Sequence, residues 1–197
     1  MKRISLENIP FSSPQKGYAP REDSWLLAHH LPNAKGKKCL DMGCGSGIQT
    51  AALLVNEAEE VWCVDINQDA LEKTKKIVEK YFPGKKTHYV QSNLFETILN
   101  EKFDIIVFNP PYVPSEKIKW MEVDGGKKGR EIIDAFIEKI PYHLNEKGEC
   151  YLLQSSLNGI PITEKKIRKH GMNGVIIARQ KIAFEELIIF RISKNNL

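Results

Sequence analysis

Apolar residues along the chain come in short runs bounded by turn formers, and the runs alternate with stretches whose apolar positions recur every three to four residues. Residues 37–42, 60–65, 87–91, 103–108 and 149–154 are predicted strands. Residues 48–55, 68–81, 131–143 and about 161–170 are predicted helices, and a further helix is predicted to start after Pro20, where Glu22 and Asp23 suit the positive end of its dipole. Residues 175–178 and 186–192 read as an antiparallel closing pair. Strand and helix alternate throughout, so the expected fold is α/β: a single domain over 1–197 with a doubly wound, mostly parallel sheet of about seven strands and an antiparallel C-terminal strand. Residues 1–17, punctuated by Pro10, Pro14 and Gly17, are expected to form a covering arm, and 113–130 a long substrate loop containing Trp120.

At 197 residues the chain suits one α/β domain with a full core. A 42% hydrophobic and 27% charged composition is ordinary for a globular protein. No apolar run approaches the roughly 18 residues of a membrane span, and Met1-Lys2-Arg3 leads into no signal-like core, so a cytoplasmic protein without membrane attachment is expected. The net charge of +4 comes from small lysine groups such as Lys73/Lys75/Lys76 and Lys165/Lys166. Interspersed glutamates favour solvated helix faces over a nucleic-acid footprint. The 4 cysteines, Cys39, Cys44, Cys63 and Cys150, show no metal-ligand spacing. They read as small buried hydrophobes in a reducing compartment, and no metal is expected.

The candidate chemistry lies where predicted strands end. Asn109-Pro110-Pro111-Tyr112 follows the most apolar strand, and two successive prolines, with no N–H to donate, force the chain out of the sheet as a stiff turn. That edge is where open α/β sheets bind ligands. The turn offers an amide side chain, carbonyl acceptors and an aromatic face, which suit a planar NH2 group. The lone pair of such a nitrogen is conjugated, on the scale of the ~18–20 kcal/mol barrier to peptide rotation. Two acceptors, the Asn109 side-chain oxygen and the Pro110 carbonyl, could hold it partly pyramidal while Tyr112 packs on its plane.

Upstream, Asp41-Met42-Gly43-Cys44-Gly45-Ser46-Gly47 joins a strand to a helix, so that a ligand can approach the backbone closely. The dinucleotide fingerprint needs glycine where Ile48 stands, and no Gly-Lys-Ser/Thr follows, which disfavours NAD and nucleoside triphosphates. Asp65 ends the second strand about twenty residues past the glycines, where a carboxylate can accept both ribose hydroxyls. Asn93 and Leu94 follow the third strand, placed to meet an adenine. An adenosine-containing ligand is implied.

Together, the segment from Asp41 to Gly47, Asp65, Ser92-Asn93-Leu94-Phe95 and Asn109 to Tyr112 resemble the successive motifs of class I S-adenosylmethionine-dependent methyltransferases, a Rossmann-like fold, that act on planar nitrogens. Tyr18-Ala19-Pro20-Arg21-Glu22-Asp23-Ser24 and the stretch from Gly125 to Glu131 resemble the HemK-like branch, which methylates the glutamine side-chain amide (N5) in the Gly-Gly-Gln motif of class-1 translation release factors. The resemblance covers essentially the whole chain. It implies S-adenosyl-L-methionine as cofactor, with Asp41, Gly43 and Gly45 at its methionine end, Asp65 at its ribose, Asn93 and Leu94 at its adenine, and Ser24 also in contact. Asn109, Pro110, Pro111 and Tyr112 would hold the substrate amide, with Asn109 at cofactor and substrate alike. The branch usually has Asp where Asn93 stands. Its bacterial members carry an N-terminal helical domain, so this chain resembles the short archaeal and eukaryotic type, whose members work with a small zinc-binding activator along the edge strand, here Thr87 to Gln91.

Three functions compete. The first is glutamine N5 methylation of a release factor. A base amine in RNA or DNA, of the adenine N6 kind, presents the same planar NH2, although a DNA enzyme must also extrude the base. A noncatalytic binding module would have no use for a glycine loop, a ribose acid and an amide turn together.

Overall fold

The computed structural model describes residues 4–13, 19–113 and 129–195. Seven strands form one sheet in the order β3-β2-β1-β4-β5-β7-β6, with β1 Lys38–Met42, β2 Glu60–Asp65, β3 Lys86–Gln91, β4 Phe103–Phe108, β5 Leu144–Ser155, β6 Met172–Lys181 and β7 Glu186–Lys194. The pairs β1–β2, β2–β3 and β4–β5 are parallel, while β7 runs antiparallel to both β5 and β6. This is the mostly parallel sheet with one antiparallel C-terminal strand that the pattern predicts. The chain divides into two compact units, Met1–Leu99 and Asn100–Leu197.

In the first unit, α1 Glu22–His29, α2 Ile48–Val55 and α3 Gln68–Tyr81 flank β1 to β3. Every residue of α2 except Val55 is buried, because the helix packs against α1, α3 and the sheet. In α3 the apolar positions Ala70, Leu71, Ile77 and Val78 make one buried face together with Thr74, the Asn67 side chain caps the start by accepting from the Asp69 N–H at 3.0 Å, and Pro83-Gly84 lies just past the end. The arm is not wholly irregular: Leu6–Asn8 forms a 3-10 turn with Leu6 and Ile9 buried. The strand β3 ends the sheet order and is half-exposed along its middle.

The second unit places α4 Glu131–His143 and α5 Ile160–Lys169 with β4 to β7. Three strands are longer than their apolar runs. The predicted strand starts at residue 149, yet β5 begins at Leu144, because Phe103 pairs with Leu144 and Ile105 already with Glu149, through an irregularity in the ladder. A Cβ on Gly148 would stand 2.9 Å from the Phe103 carbonyl oxygen, so the crossing needs glycine. The closing pair likewise extends over 172–181 and 186–194, since the β6–β7 ladder continues past the apolar runs through mostly polar residues, with Met172 buried at the start of β6.

All four cysteines are buried and free, consistent with their reading as small hydrophobes. Lysines pair along helix surfaces, Lys75 with Glu79 at 3.9 Å and Lys166 with Glu138 at 2.7 Å. No described helix is long and apolar enough to cross a membrane.

Candidate active site

In the first unit the predicted cofactor residues gather at the carboxyl ends of β1, β2 and β3. Asp41 is fully buried in β1. Its Oδ2 accepts the Thr50 hydroxyl at 2.6 Å, while its Oδ1 is buried with no hydrogen-bond partner among the described residues. Burial pushes this carboxyl up to about 7, against the pull of the Thr50 hydrogen bonds. An orphaned acceptor beneath a glycine loop fits a cationic ligand group such as an ammonium.

Gly43, Gly45 and Gly47 all hold positive φ, at 65°, 50° and 83°. A Cβ on Gly45 would meet nothing nearer than the Gly43 carbonyl at 3.7 Å, so the loop presents bare backbone to open space. The Gly47 requirement is different: a Cβ there would press on α3, 3.1 Å from Thr74 Oγ1. Asp65 ties the loop to β2, its Oδ2 accepting the Gly45 N–H at 2.9 Å and its Oδ1 the Asn67 N–H at 2.8 Å. Burial raises its pKa while these backbone N–H groups oppose the rise. Each oxygen keeps a second lone pair, so the carboxylate can still accept a pair of hydroxyls.

Beyond β3, the exposed Asn93 donates its side-chain amide to Glu96 Oε1 at 2.9 Å. Leu94 stands at φ 49°, left-handed backbone for a residue with no polar side chain to compensate. Ser24 lies in α1, buried, with its hydroxyl on Asp23 Oδ1 at 3.2 Å and its carbonyl accepting Gln49 Nε2 at 2.9 Å. It therefore joins α1 to α2, the helix that follows the glycine loop.

In the second unit β4, buried at five of its six positions, delivers Asn109 to Tyr112 at its carboxyl end. Pro110 is buried, and Asn109, Pro111 and Tyr112 are half-buried. Sequence reasoning missed what holds this turn. Asn158 Nδ2 donates to the Tyr112 carbonyl at 2.7 Å and to the Gly129 carbonyl at 3.1 Å, and Asn158 Oδ1 accepts the Ser155 N–H at 2.9 Å. Arg130, buried, donates to the carbonyl of Asn158, to Thr163 Oγ1 at 2.9 Å and to Asp134 Oδ1 at 2.7 Å, and Thr163 donates to Gln154 at 2.6 Å. The available signal was Asn158-Gly159 followed by Pro161, a turn between strand and helix. Of the substrate loop expected over 113–130, residues 114–128, with Trp120 and Gly125 to Lys128, lie outside the described residues, as does Tyr18.

A glycine loop after β1, a carboxylate after β2 and an Asn-Pro-Pro-Tyr turn after β4, on a sheet in this order, define a class I methyltransferase. Residues 21–176 match the methyltransferase small domain family, and the chain belongs to it. It is 36% identical over 192 residues, 94% of this chain and 96% of the relative, to a candidate protein N5-glutamine methyltransferase of Methanocaldococcus jannaschii. Among solved structures it resembles the E. cuniculi Mtq2-Trm112 complex, responsible for methylation of the eRF1 translation termination factor, with a TM-score of 0.71, 28% identity, and 92% of this chain and 100% of that chain covered. The T. thermophilus 16S rRNA N2 G1207 methyltransferase RsmC, in complex with AdoMet and guanosine, shares the fold at a TM-score of 0.68 and 23% identity, over 89% of this chain and 44% of that one.

Proposed function

We propose that this chain methylates the side-chain amide nitrogen of the glutamine in the Gly-Gly-Gln motif of a class-1 translation release factor, using S-adenosyl-L-methionine. The observation that carries the reading is the Asn109-Pro110-Pro111-Tyr112 turn at the carboxyl end of the buried strand β4. The relatives' names supply the substrate: one is a candidate N5-glutamine methyltransferase and the other acts on a termination factor.

The cofactor, when bound, supplies a methyl group on a sulfonium, a reactive electrophile that needs no metal or covalent nucleophile. In this reading Asp41 Oδ1 accepts the ammonium, Gly43 and Gly45 present backbone to the methionine end, and Asp65 takes the ribose hydroxyls. The Asn93 side-chain oxygen accepts the adenine amine and Leu94 packs on the ring. Ser24 backs the same end through α1. Asn109 Oδ1 and the Pro110 carbonyl accept the two N–H bonds of the glutamine amide, and Tyr112 stacks on its plane, which turns the nitrogen lone pair out of conjugation. The amide nitrogen would form its bond to the methyl carbon as the methyl–sulfur bond breaks with its electron pair going to sulfur, leaving a neutral thioether, and the proton the nitrogen sheds would pass to water.

The two compact units serve as one methyltransferase domain in this reading, working in the cytoplasm where release factors act. A small activator protein, zinc-binding in this type, pairs along β3, which is half-exposed and, among the described residues, ends the sheet order with no strand on its far side. The pairing of Lys75 and Lys166 with glutamates weighs against an RNA substrate. Incubation with labelled cofactor and either a class-1 release factor or total RNA separates the two. Label on the release factor supports the proposal, and label on RNA alone, with binding that falls steeply with salt, overturns it.

A further inference from the structure

We infer that Asn158 is a positioning residue for the amide-binding turn, acting on the reaction through the Tyr112 carbonyl. The inference rests on the proposed role of Asn109 to Tyr112. One side-chain nitrogen, Asn158 Nδ2, bridges two carbonyls that lie 46 and 29 residues away in the chain, Tyr112 at 2.7 Å and Gly129 at 3.1 Å. The orientation of the amide is fixed by its partners, since the reverse would set its oxygen against two carbonyl acceptors and its nitrogen against the Ser155 N–H. Both ends of the amide are therefore committed to this chain, and Asn158 acts by holding the turn.

The glycine across from it is shaped for this contact. A Cβ on Gly129 would fall 2.2 Å from the Tyr112 carbonyl oxygen and 2.6 Å from Asn158 Nδ2, so no other residue leaves room for the bridge. Behind Asn158, its own carbonyl is gripped by the Arg130 guanidinium, which also reaches the Gly159 carbonyl at 3.3 Å, Thr163 and Asp134. The bridge is thus anchored to α4 and α5. Two prolines stiffen the turn from within, and Tyr112 is the first residue past them, where the backbone regains its freedom. The bridge removes that freedom at the residue whose ring must stack on the substrate.

Asn158→Asp keeps the acceptor for Ser155 and replaces the donor with a carboxylate oxygen that repels the Tyr112 and Gly129 carbonyls. The expected result is a folded protein that binds S-adenosylhomocysteine within about twofold of wild type while kcat on the release factor falls on the order of 10²-fold, the scale of a small misplacement of reacting groups. KM changes less. Hydrogen exchange at the Tyr112, Val113 and Gly129 amides should quicken by about tenfold or more, a readout that needs no substrate. Gly129→Ala attacks the same bridge from the other side and should give the same loss, with no further loss in the double variant. A kcat within about twofold of wild type in both variants, unchanged exchange, or additive losses would overturn the inference. If the wild-type chain does not methylate the release factor but the variants still loosen Tyr112, the functional reading fails and the bridge stands. An active wild type with an unaltered turn in the variants has the opposite meaning.

Discussion

Thr50 donates its hydroxyl to Asp41 at 2.6 Å in a place where neither side chain has any solvent exposure. One oxygen of the carboxyl is thereby satisfied and the other is buried without a partner among the described residues. Burial lifts the group to about 7, far above an ordinary carboxylate. A buried acid of this kind is at once a cost to the free protein and a reserve of affinity for a cation.

Stability and cofactor binding should therefore depend on pH in opposite directions. With a folded pKa of about 7 against an ordinary value of 3.8 in the unfolded chain, the folded protein holds a proton that the unfolded chain releases, so this contribution is complete below about pH 4 and is lost as pH rises through about 7. Urea unfolding of the cofactor-free protein should show stability falling over that window, and Asp41→Asn should remove this component. Cofactor affinity should run the other way, strengthening by about tenfold per unit between about pH 5 and 6 as the carboxylate becomes available. Titration calorimetry checks the second half, and a pH-independent affinity would remove Asp41 from the ammonium site.

Leu94 tests whether a strained backbone serves a ligand. Relief of a φ of 49° by Leu94→Gly should leave stability unchanged or raise it by up to about 1 kcal/mol, since left-handed backbone costs a non-glycine residue about that much or more. Cofactor affinity should nevertheless drop several-fold through the lost apolar contact. A variant that is less stable and binds as well as wild type would make Leu94 a packing residue.

Gly47 carries a purely structural requirement. Its φ of 83°, and the 3.1 Å at which an added Cβ would stand from Thr74 Oγ1, lead us to expect that Gly47→Ala destabilises the fold. The expected loss is about 1–3 kcal/mol, measured by denaturant unfolding. Gly45→Ala meets only its own loop, so its penalty should fall on cofactor binding more than that of Gly47→Ala does.

Asn109→Ala separates catalysis from cofactor binding. Turnover should fall by about 3 kcal/mol or more in transition-state stabilisation, the scale of an oxyanion-type hydrogen-bond partner, with S-adenosylhomocysteine affinity nearly unchanged. Single-turnover rates and calorimetry on the same preparation provide the comparison.

Most of the architecture was legible because its periodicities are clean. The predicted spans 48–55, 60–65, 68–81, 103–108 and 131–143 coincide with α2, β2, α3, β4 and α4, each a strand or helix with a continuous apolar face between strong turn signals. The apolar runs understate β5, β6 and β7, whose ladders run on past them, in β5 through an irregular crossing at Gly148 back to the buried Leu144. The glycine loop, Asp65 and the Asn-Pro-Pro-Tyr turn were readable because their chemistry is written in contiguous residues. The Asn158 bridge was not, because it joins Tyr112, Gly129 and Ser155 across distant segments, and a lone Asn before Gly signals only a turn. Burial of Asp41 with one oxygen unpartnered among the described residues is equally a property of packing, invisible in the letters around it.

The proposed function stands or falls on methyl transfer from labelled S-adenosylmethionine to a class-1 release factor, with and without a small activator protein, comparing the Gly-Gly-Gln form with a Gly-Gly-Asn variant. Label is expected on the Gly-Gly-Gln form alone, located on the glutamine amide by mass spectrometry. Label on both forms, or on neither in the presence of the activator, would contradict glutamine methylation by this chain.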